Sequence, residues 1–521
     1  MSLGLLDWSV LIVAALYLLF ALDDLVFDVT YWIGRLNDWW RRDPVPLEVI
    51  EQVPPGKVAV LIPAWQEADV IGGMLTYNLG RIDYPRYDIW VGTYPNDPDT
   101  QREVAKVAEF APNVRWVVTS GDGPTSKADC MNAIVDGLRR HEAECGESYD
   151  LLVMHDPEDI IHPIEFRLVN WFFAQEPDAD FVQLPVLSTA PPAYDFVAGT
   201  YIDEFAEMYA KNMHVRQKLT PFVPSAGVAT TFRRSALEEL IDETGGLPFA
   251  VNSLTEDYDL GLKMAIADRR TRYLAQEVRI PEDETGRTTR DELVATWAPF
   301  PSTFQTAVRQ RTRWMSGIVF QAWEQWKWPG PLGLRWVLAH DRRGPLGYLV
   351  VLFGYLLVLA LVSYTWVRAF YDPTLPAILQ HPAFGTLFWV GLFLMSNRLL
   401  QRAIAVYRFY GGWQALLAIF RTPFSNLVNM VASFRAAWRY WYSRATGKPM
   451  TWDKTSHAIP PIVARQLRIG ERLVLAGKIT PQQLMLALGA QRRRARPLGQ
   501  ILVEQGAVSE RDVNAVLGTV A

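Results

Sequence analysis

Cysteine is nearly absent, with only Cys130 and Cys145 in 521 residues. Two cysteines without metal-ligand spacing build neither a disulfide framework nor a zinc site, and both are expected reduced in a cytosolic domain. A strong charge of either sign is also missing. The formal net charge of −5 gives no reason to expect bulk nucleic-acid binding, so no nucleic-acid partner is assigned. No positive n-region precedes the first apolar run, which argues against a cleaved signal peptide. The chain is instead half hydrophobic, with 20 tryptophans, and the apolar residues come in blocks. That mixture fits a soluble catalytic body joined to membrane segments, and the length leaves room for about three or four units.

Leu3 to Val26, with its core at Leu11–Leu22, is the first membrane candidate and defines a transmembrane segment over 1–30. Its charge-free centre, between Asp7 and Asp23/Asp24, is shorter than the ~20 apolar residues a span needs, so a tilted or thinned crossing is expected. Arg35, Arg41 and Arg42 follow, and positive charge on that side places the next domain in the cytoplasm. Further on, the spaced tryptophans of Gln321–Trp328 read as an interfacial helix within 321–345. Leu346–Phe370 and Ala383 to about Leu400 supply two more crossings within 346–400. Arg342 and Arg343 flank one and Arg398 and Arg402 the other, which gives three crossings and an outside N-terminus. Trp413–Tyr442 is amphipathic with Arg421 in its middle and is expected to lie on the surface, a fourth span being the alternative.

Between these segments, short apolar runs alternate with helical stretches. Val58–Ile62, Tyr87–Val91, Trp116–Thr119 and Leu151–Met154 each end in polar residues, as strands of a largely parallel sheet would, with ligands at their tips. Leu151–Met154 leads into His155, Asp156, Pro157, Glu158 and Asp159. Asp156 and Glu158, two residues apart, could both reach one hard cation, which prefers oxygen ligands and shares its shell with substrate phosphates. Glu67 and Asp97 could hold a base or ribose, and Lys127, beside a Gly-rich turn, could neutralise a pyrophosphate.

Taken in order, Pro63-Ala-Trp65-Gln-Glu67, Lys127 to Asn132, Asp156-Pro-Glu158-Asp159, Thr255-Glu256-Asp257 and Gln310-Arg-Thr-Arg313-Trp314 resemble the motifs of membrane-embedded family-2 glycosyltransferases. Cellulose and hyaluronan synthases are relatives of that kind. The resemblance implies an α/β GT-A fold, a Rossmann-like mixed sheet, over residues 50–320. It also implies a nucleotide-sugar donor held by Pro63, Trp65, Glu67, Asp97, Lys127, Asp156 and Arg313, and a Mg²⁺ or Mn²⁺ ion at Asp156, Glu158 or Asp159. The usual Asp-x-Asp stands here as Asp156-Pro-Glu158, and glutamate reaches further, which leaves Asp159 a competing ligand. Asp257, with Glu256, is the expected catalytic base, since inversion at an anomeric carbon needs a carboxylate on the acceptor's hydroxyl. Gln310 and Trp314 carry the acceptor. Pro224–Arg234 resembles an acceptor-lining segment and adds Ser225 and Gly227, although it lacks the family's cysteine.

Gly447–His457 resembles the gating loop of polymerising relatives, with Trp452, Lys454, Thr455 and His457 closing over the donor; it completes a segment over 413–460. Then comes an internal repeat, a sign of paired supersecondary units. Arg468-Ile469-Gly470 with Leu473 and Gln491 is answered by Pro497-Leu498-Gly499 with Leu502, Pro497 standing where the first half has Arg468, and Arg496 adds positive charge nearby. Over 462–521 this looks like a small all-α MshEN domain, and the resemblance implies cyclic di-GMP bound by Arg468, Ile469, Gly470, Leu473, Gln491, Arg496, Leu498, Gly499 and Leu502. The glycines would let backbone approach the ligand, and the leucines would form an apolar bed.

The whole chain resembles the phage-adsorption glycosyltransferases of bacteria. That implies a multi-pass inner-membrane protein with cytoplasmic catalytic and C-terminal domains. It would polymerise a UDP sugar, such as UDP-N-acetylmannosamine, onto a growing polysaccharide or lipid-linked acceptor, alongside an outer-membrane export or receptor partner. A non-processive transferase to a polyprenyl phosphate and a catalytically inactive cyclic di-GMP sensor or phage-receptor scaffold are the alternatives.

Overall fold

The computed structural model describes residues 5–39, 42–245, 247–281, 289–375, 378–380, 382–448, 450, 469–475, 478–480, 483–484, 487 and 497–518. The chain divides into two units, one built on sheets and one on helices, and it passes between them more than once. The sheet unit takes Arg42–Thr189, Pro224–Pro299 and Ser456–Ala521, and the helical unit takes Met1–Arg41, Ala190–Val223 and Phe300–Thr455.

Twelve strands run in chain order: β1 (Val45–Pro46), β2 (Val58–Pro63), β3 (Tyr87–Thr93), β4 (Val114–Val118), β5 (Leu151–Met154), β6 (Phe181–Gln183), β7 (Val186–Ser188), β8 (Thr230–Arg233), β9 (Thr271–Tyr273), β10 (Glu277–Pro281), β11 (Thr289–Leu293) and β12 (Thr296–Ala298). Seven form the main sheet in the order β4-β3-β2-β5-β8-β6-β9. β8 runs antiparallel to both β5 and β6, and the other pairings are parallel. The four strands expected from sequence are β2 to β5. β2 and β5 are apolar at nearly every position because helices cover both faces of a parallel sheet, leaving no solvent side for alternation. The crossover helices are Ile71–Leu79, Pro98–Ala108 and Lys127–Cys145. The order reverses between β2 and β5, and ligands of open α/β sheets gather at such a point, outside the carboxyl ends of the strands. Pro63 closes β2 there and Asp156 follows β5.

In the helical unit, three helices are long and apolar enough to cross a membrane: Leu6–Leu36, Gly344–Phe370 and Pro382–Thr446. The first runs through Asp23 and Asp24 and ends at Leu36, beyond the segment expected over 1–30. It continues because its acids find partners: Asp23 accepts from Trp336 and from His340 Nδ1, each at 2.7 Å, and Asp28 meets Lys211 Nζ at 2.5 Å. The third helix is 65 residues long, about 98 Å at 1.5 Å per residue, against a hydrocarbon core of ~30 Å. Gly411 divides it, at φ 78 and ψ 178, a backbone geometry suited to glycine.

After that break the helix is amphipathic in the inverse sense of a soluble one. Trp413, Leu416, Phe420, Leu427, Phe434, Trp438 and Trp441 are exposed, while Arg421, Ser425, Asn429 and Ser433, one per turn, are buried. Arg421 stands on the inward side of this helix. It is 1% exposed and forks onto Asp203, Nε to Oδ2 at 2.9 Å and Nη2 to Oδ1 at 2.5 Å. The outward side offers it only apolar neighbours, so the charge turns inward. Gly199 makes the room, since a Cβ there would stand 2.6 Å from Arg421 Cδ.

Two stretches expected inside the 50–320 catalytic body, 190–223 and 300–320, belong to the helical unit. Their helices Phe196–Glu207 and Phe304–Met315 pack Tyr201, Ala307 and Val308 on Val428 and Ala432, one apolar cluster that holds them there.

The tail makes its own small core. Helices Ile469–Leu475, Leu498–Glu504 and Glu510–Gly518 enclose Leu473, Leu484, Leu498, Ile501 and Leu502. The repeated glycines are contact points between these elements. A Cβ on Gly470 would lie 2.2 Å from Leu484 Cδ1 and 2.9 Å from Leu498 Cδ2, and one on Gly499 would lie 3.1 Å from Val513. Among the described residues Gly470, Gly499, Leu473, Leu498 and Leu502 pack the domain, and the leucines face its interior. Ile469 packs against the same core.

Candidate active site

Lys127 opens the helix after β4. Ser126 caps that helix, its Oγ accepting from the Asp129 amide at 3.2 Å, which fixes where the lysine stands. From there its Nζ reaches Asp156 Oδ1 at 2.6 Å and Glu256 Oε1 at 3.9 Å. Burial alone would lower the lysine's pKa, but Asp156, Glu256 and Asp257 together outweigh it and hold the ammonium charged well above the usual lysine range. Glu256 and Asp257 occupy the first turn of the helix Glu256–Ile266, where the helix dipole favours anions. Asp257 Oδ1 accepts from the Tyr258 amide at 2.7 Å. Its Oδ2 faces Gly227: a Cβ added there would stand 2.6 Å from that oxygen, and the glycine's φ of +74 suits no β-branched residue. Lys127, Asp156, Glu256, Asp257 and Gly227, from four separate segments, thus meet at the strand tips.

Several other expected groups turn out to hold the site's walls. Asp159 is 1% exposed and points inward: its Oδ2 lies 3.0 Å from His155 Nδ1 and accepts from the Asp156 amide at 2.9 Å. His155 Nε2 meets Glu165 Oε1 at 2.9 Å, and Thr296 donates to Glu165 Oε2 at 3.0 Å. Burial would discharge this histidine, yet Glu165 and Asp159 push its pKa up to about 10. Asp159 therefore stands through Oδ2 as a counterion of His155 behind the loop. Asp97 is also spent locally, accepting from the Gln66 amide at 2.5 Å and, as helix cap, from Thr100 N at 3.4 Å. It shapes the loop after β2, where Gln66 takes a φ of 54. Glu67 in that loop is buried, its amide donating to Thr100 Oγ1 at 2.9 Å. Trp65 is covered by Gly123, whose Cβ would strike its ring at 2.4 Å, and packs edge-on against Tyr94. Ser225 serves its own turn, with Oγ 2.9 Å from Thr230 Oγ1.

Sequence reasoning missed the amides that clamp these loops. Asn78 donates to Asp159 O at 2.9 Å and accepts from Ile161 N at 3.1 Å, bracing the acidic loop. Asn96 does the same for Gly123, at 2.6 and 2.8 Å, and Asn132 for Phe249, at 2.9 and 3.1 Å. Gln183 Oε1 accepts from Ala226 N at 2.9 Å and from Thr230 Oγ1 at 2.7 Å. Asn78 and Asn132 each satisfy a donor and an acceptor of irregular buried backbone, while the Asn96–Gly123 pair lies at the surface. For Asn78, Asn132 and Gln183, an amide within an apolar helix or strand was the available signal, and it does not name its partner.

The residues also bear on an ion. Among the described residues no three His, Cys, Asp or Glu side chains form a cage. One or two carboxylates are what Mg²⁺ or Mn²⁺ uses when substrate phosphates complete its shell. Asp156, a third exposed, with Glu158 beside it in the same loop, fits that donor set.

In the helical unit, the helix Phe304–Met315 carries Gln310, Arg313 and Trp314. Trp314 lies in an aromatic group with Tyr201 and Phe205, ring centroids 6.1 and 6.2 Å away. Arg313 is half-buried. The deeply buried arginine of the motif is Arg311, two residues earlier, which no pattern in the chain singled out. Trp452, Lys454, Thr455 and His457, expected to gate the site, and Arg468, Gln491 and Arg496, expected to bind cyclic di-GMP, lie outside the described residues.

A mostly parallel sheet with one reversed strand, a lysine and three carboxylates at its tips, and an acidic loop after β5 is the arrangement of a glycosyltransferase of GT-A type. Comparison with known proteins agrees: residues 54–317 match the model of the glycosyltransferase-like family 2, and the chain belongs to that family. It is 37% identical over 519 residues to bacteriophage adsorption protein B of Escherichia coli K12, covering 95% of this chain and 68% of that protein. The same figures hold for bacteriophage N4 adsorption protein B of Escherichia coli O157:H7. Among solved structures, a mannosyltransferase from Pyrobaculum calidifontis in complex with GDP-Man and Mn²⁺ is 17% identical, with TM-score 0.46 over 80% of this chain and 99% of that one.

Proposed function

We propose that this family-2 glycosyltransferase is a processive, inverting polymerase of the bacterial inner membrane that uses a UDP sugar, with UDP-N-acetylmannosamine the first to try. The observation that carries the reading is the meeting of Lys127 and Asp156 with Glu256 and Asp257. Lys127 stabilises the leaving diphosphate as a point charge, while Asp156 and Glu158 would hold the divalent ion. When bound, that ion supplies Lewis-acid neutralisation of the diphosphate. Asp257 takes the proton from the acceptor hydroxyl as its oxygen bonds the anomeric carbon and the carbon–phosphate-oxygen bond breaks on the opposite face, which inverts the centre. Gly227 keeps a side chain away from Asp257 Oδ2, and Glu256 orients Lys127.

Gln310, Arg313 and Trp314 form the acceptor platform, and the segment around Trp452 and Lys454 closes over the donor. The polymer leaves outward, past an outer-membrane partner, and the relatives' names make the product or its export assembly a determinant of phage adsorption. The tail's paired repeat would bind cyclic di-GMP and set the rate. The test is nucleotide release by full-length protein in nanodiscs over a panel of UDP and GDP sugars, with Mn²⁺ or chelator, and with or without cyclic di-GMP. Metal-dependent release of UDP with incorporation into a product of many sugars is the expected result. Single-sugar products would replace polymerisation by one-step transfer, and no release from any donor would leave a scaffold.

A further inference from the structure

Arg311 is 2% exposed, yet it sits one residue from Gln310 and three from Trp314. Its Nη1 donates to Glu204 Oε1 at 2.6 Å and to Asn429 Oδ1 at 2.7 Å, and its Nη2 to Thr200 Oγ1 at 2.7 Å. The guanidinium also lies 4.6 Å from the Tyr201 ring centroid. Glu204 is shared: Ser425 Oγ donates to it at 2.7 Å and Asn429 Nδ2 at 3.0 Å. One planar side chain therefore ties three helices together: Phe196–Glu207, Phe304–Met315 and the stretch after Gly411. Tyr201, held under the guanidinium, stacks on Phe300 at 4.8 Å and meets Trp314 edge-on.

A core needs no such group. A buried ion pair is commonly matched or exceeded in stability by apolar residues of the same shape, so its presence favours a fixed geometry over added stability. A helix carrying a sugar platform needs its register fixed, because tenths of an ångström matter in presenting a hydroxyl. The fork of Arg311 does this in a plane that lysine cannot reproduce.

We propose that Arg311 is a positioning residue for acceptor use. Through Glu204, Asn429 and Tyr201 it fixes the rotation of the Phe304–Met315 helix, and so the presentation of Gln310 and Trp314, without touching the sugar itself. The inference rests on reading those two residues as the acceptor platform. With Arg311 intact, the anomeric carbon of the donor passes to an acceptor hydroxyl, whose proton goes to Asp257. With the helix free to turn, water takes the acceptor's place more often, and free sugar appears with the same nucleotide.

The experiment uses full-length protein in nanodiscs, UDP-N-acetylmannosamine as the donor probe and N-acetylmannosamine as the acceptor probe. It compares wild type, Arg311→Gln, Arg311→Lys and Trp314→Ala. Arg311→Gln is expected to raise acceptor KM at least tenfold and the ratio of free sugar to incorporated sugar at least fivefold, with donor KM within twofold. Arg311→Lys should restore less than half of the loss. Hydrogen exchange on the same samples, which needs no substrate, should show residues 304–315 at least tenfold faster in Arg311→Gln and β2 and β5 unchanged. Unaltered exchange over 304–315, or a fall in donor and acceptor use in step with lost folded protein, overturns the proposal. If Trp314→Ala leaves acceptor KM unchanged, the acceptor platform fails; faster exchange in Arg311→Gln would then still show Arg311 fixing that helix.

Discussion

The sheet unit and the helical unit both carry buried charge, and they treat it differently. At the strand tips, Lys127 and Asp156 pair at 2.6 Å with side chains still 16% and 33% exposed. In the helical unit, Arg421 and Asp203 are sealed at 1% and 0% exposed, and Arg311 is 2% exposed beside a partner, Glu204, at 27%. The first arrangement leaves charge that a substrate can compete for. The second keeps charge out of reach and uses it to orient helices. Polar groups packed inside a helical unit are thus no guide to chemistry by themselves; partial exposure beside a lysine and a helix N-terminus is the better sign.

That contrast can be broken in several ways. Asp257→Asn keeps the shape and removes the base, so transfer should fall ~10²–10⁴-fold with donor affinity retained, measured by nucleotide release and donor titration. If Asp257→Asn transfers normally, the strand-tip charges are not the chemistry. Arg421→Met leaves Asp203 buried and alone, and thermal unfolding should show a loss of ~3–5 kcal/mol. The double change Arg421→Met with Asp203→Leu should recover most of that, since a matched apolar pair is nearly neutral. Failure to recover would mean the pair does more than orient helices.

Asp156 and Asp159 offer a sharper contrast only three residues apart. Asp156→Asn should raise the Mn²⁺ needed for half-maximal activity at least tenfold with unchanged melting. Asp159→Asn should cost ~1–3 kcal/mol of stability, by removing the charge that His155 answers, with unchanged metal requirement. Asp97→Ala is the smallest effect, ~0.5–2 kcal/mol for a lost helix cap, read in denaturant melts. Reversed outcomes at Asp156 and Asp159 would move the metal loop inward.

Much of this was legible in the chain. Val58–Ile62 and Leu151–Met154 announce buried parallel strands because nothing polar interrupts them, and the carboxylates follow where strands must end. Asp257 was legible through its Thr-Glu-Asp setting at a helix start. Asp97 and Asp159 were not, since an acid at a loop reads alike whether it faces a ligand, an amide or a histidine. Partners such as Thr100 for Glu67 and Glu165 for His155 are set by how helices cross the sheet, which no local spacing encodes. The inward turn of Arg421 was not legible, because amphipathicity gives two faces without saying which one meets lipid. The repeated glycines of the tail are ambiguous likewise: closeness to a ligand and closeness to a leucine demand the same absent side chain.

The most direct measurement is an electron cryo-microscopy structure of the full chain with Mn²⁺ and the donor that supports turnover. The diphosphate should lie between Lys127 and Asp156, with the sugar's anomeric carbon presenting its opposite face to Asp257. A donor bound away from those side chains, or an Asp257 carboxylate on the leaving-group side, would contradict the account.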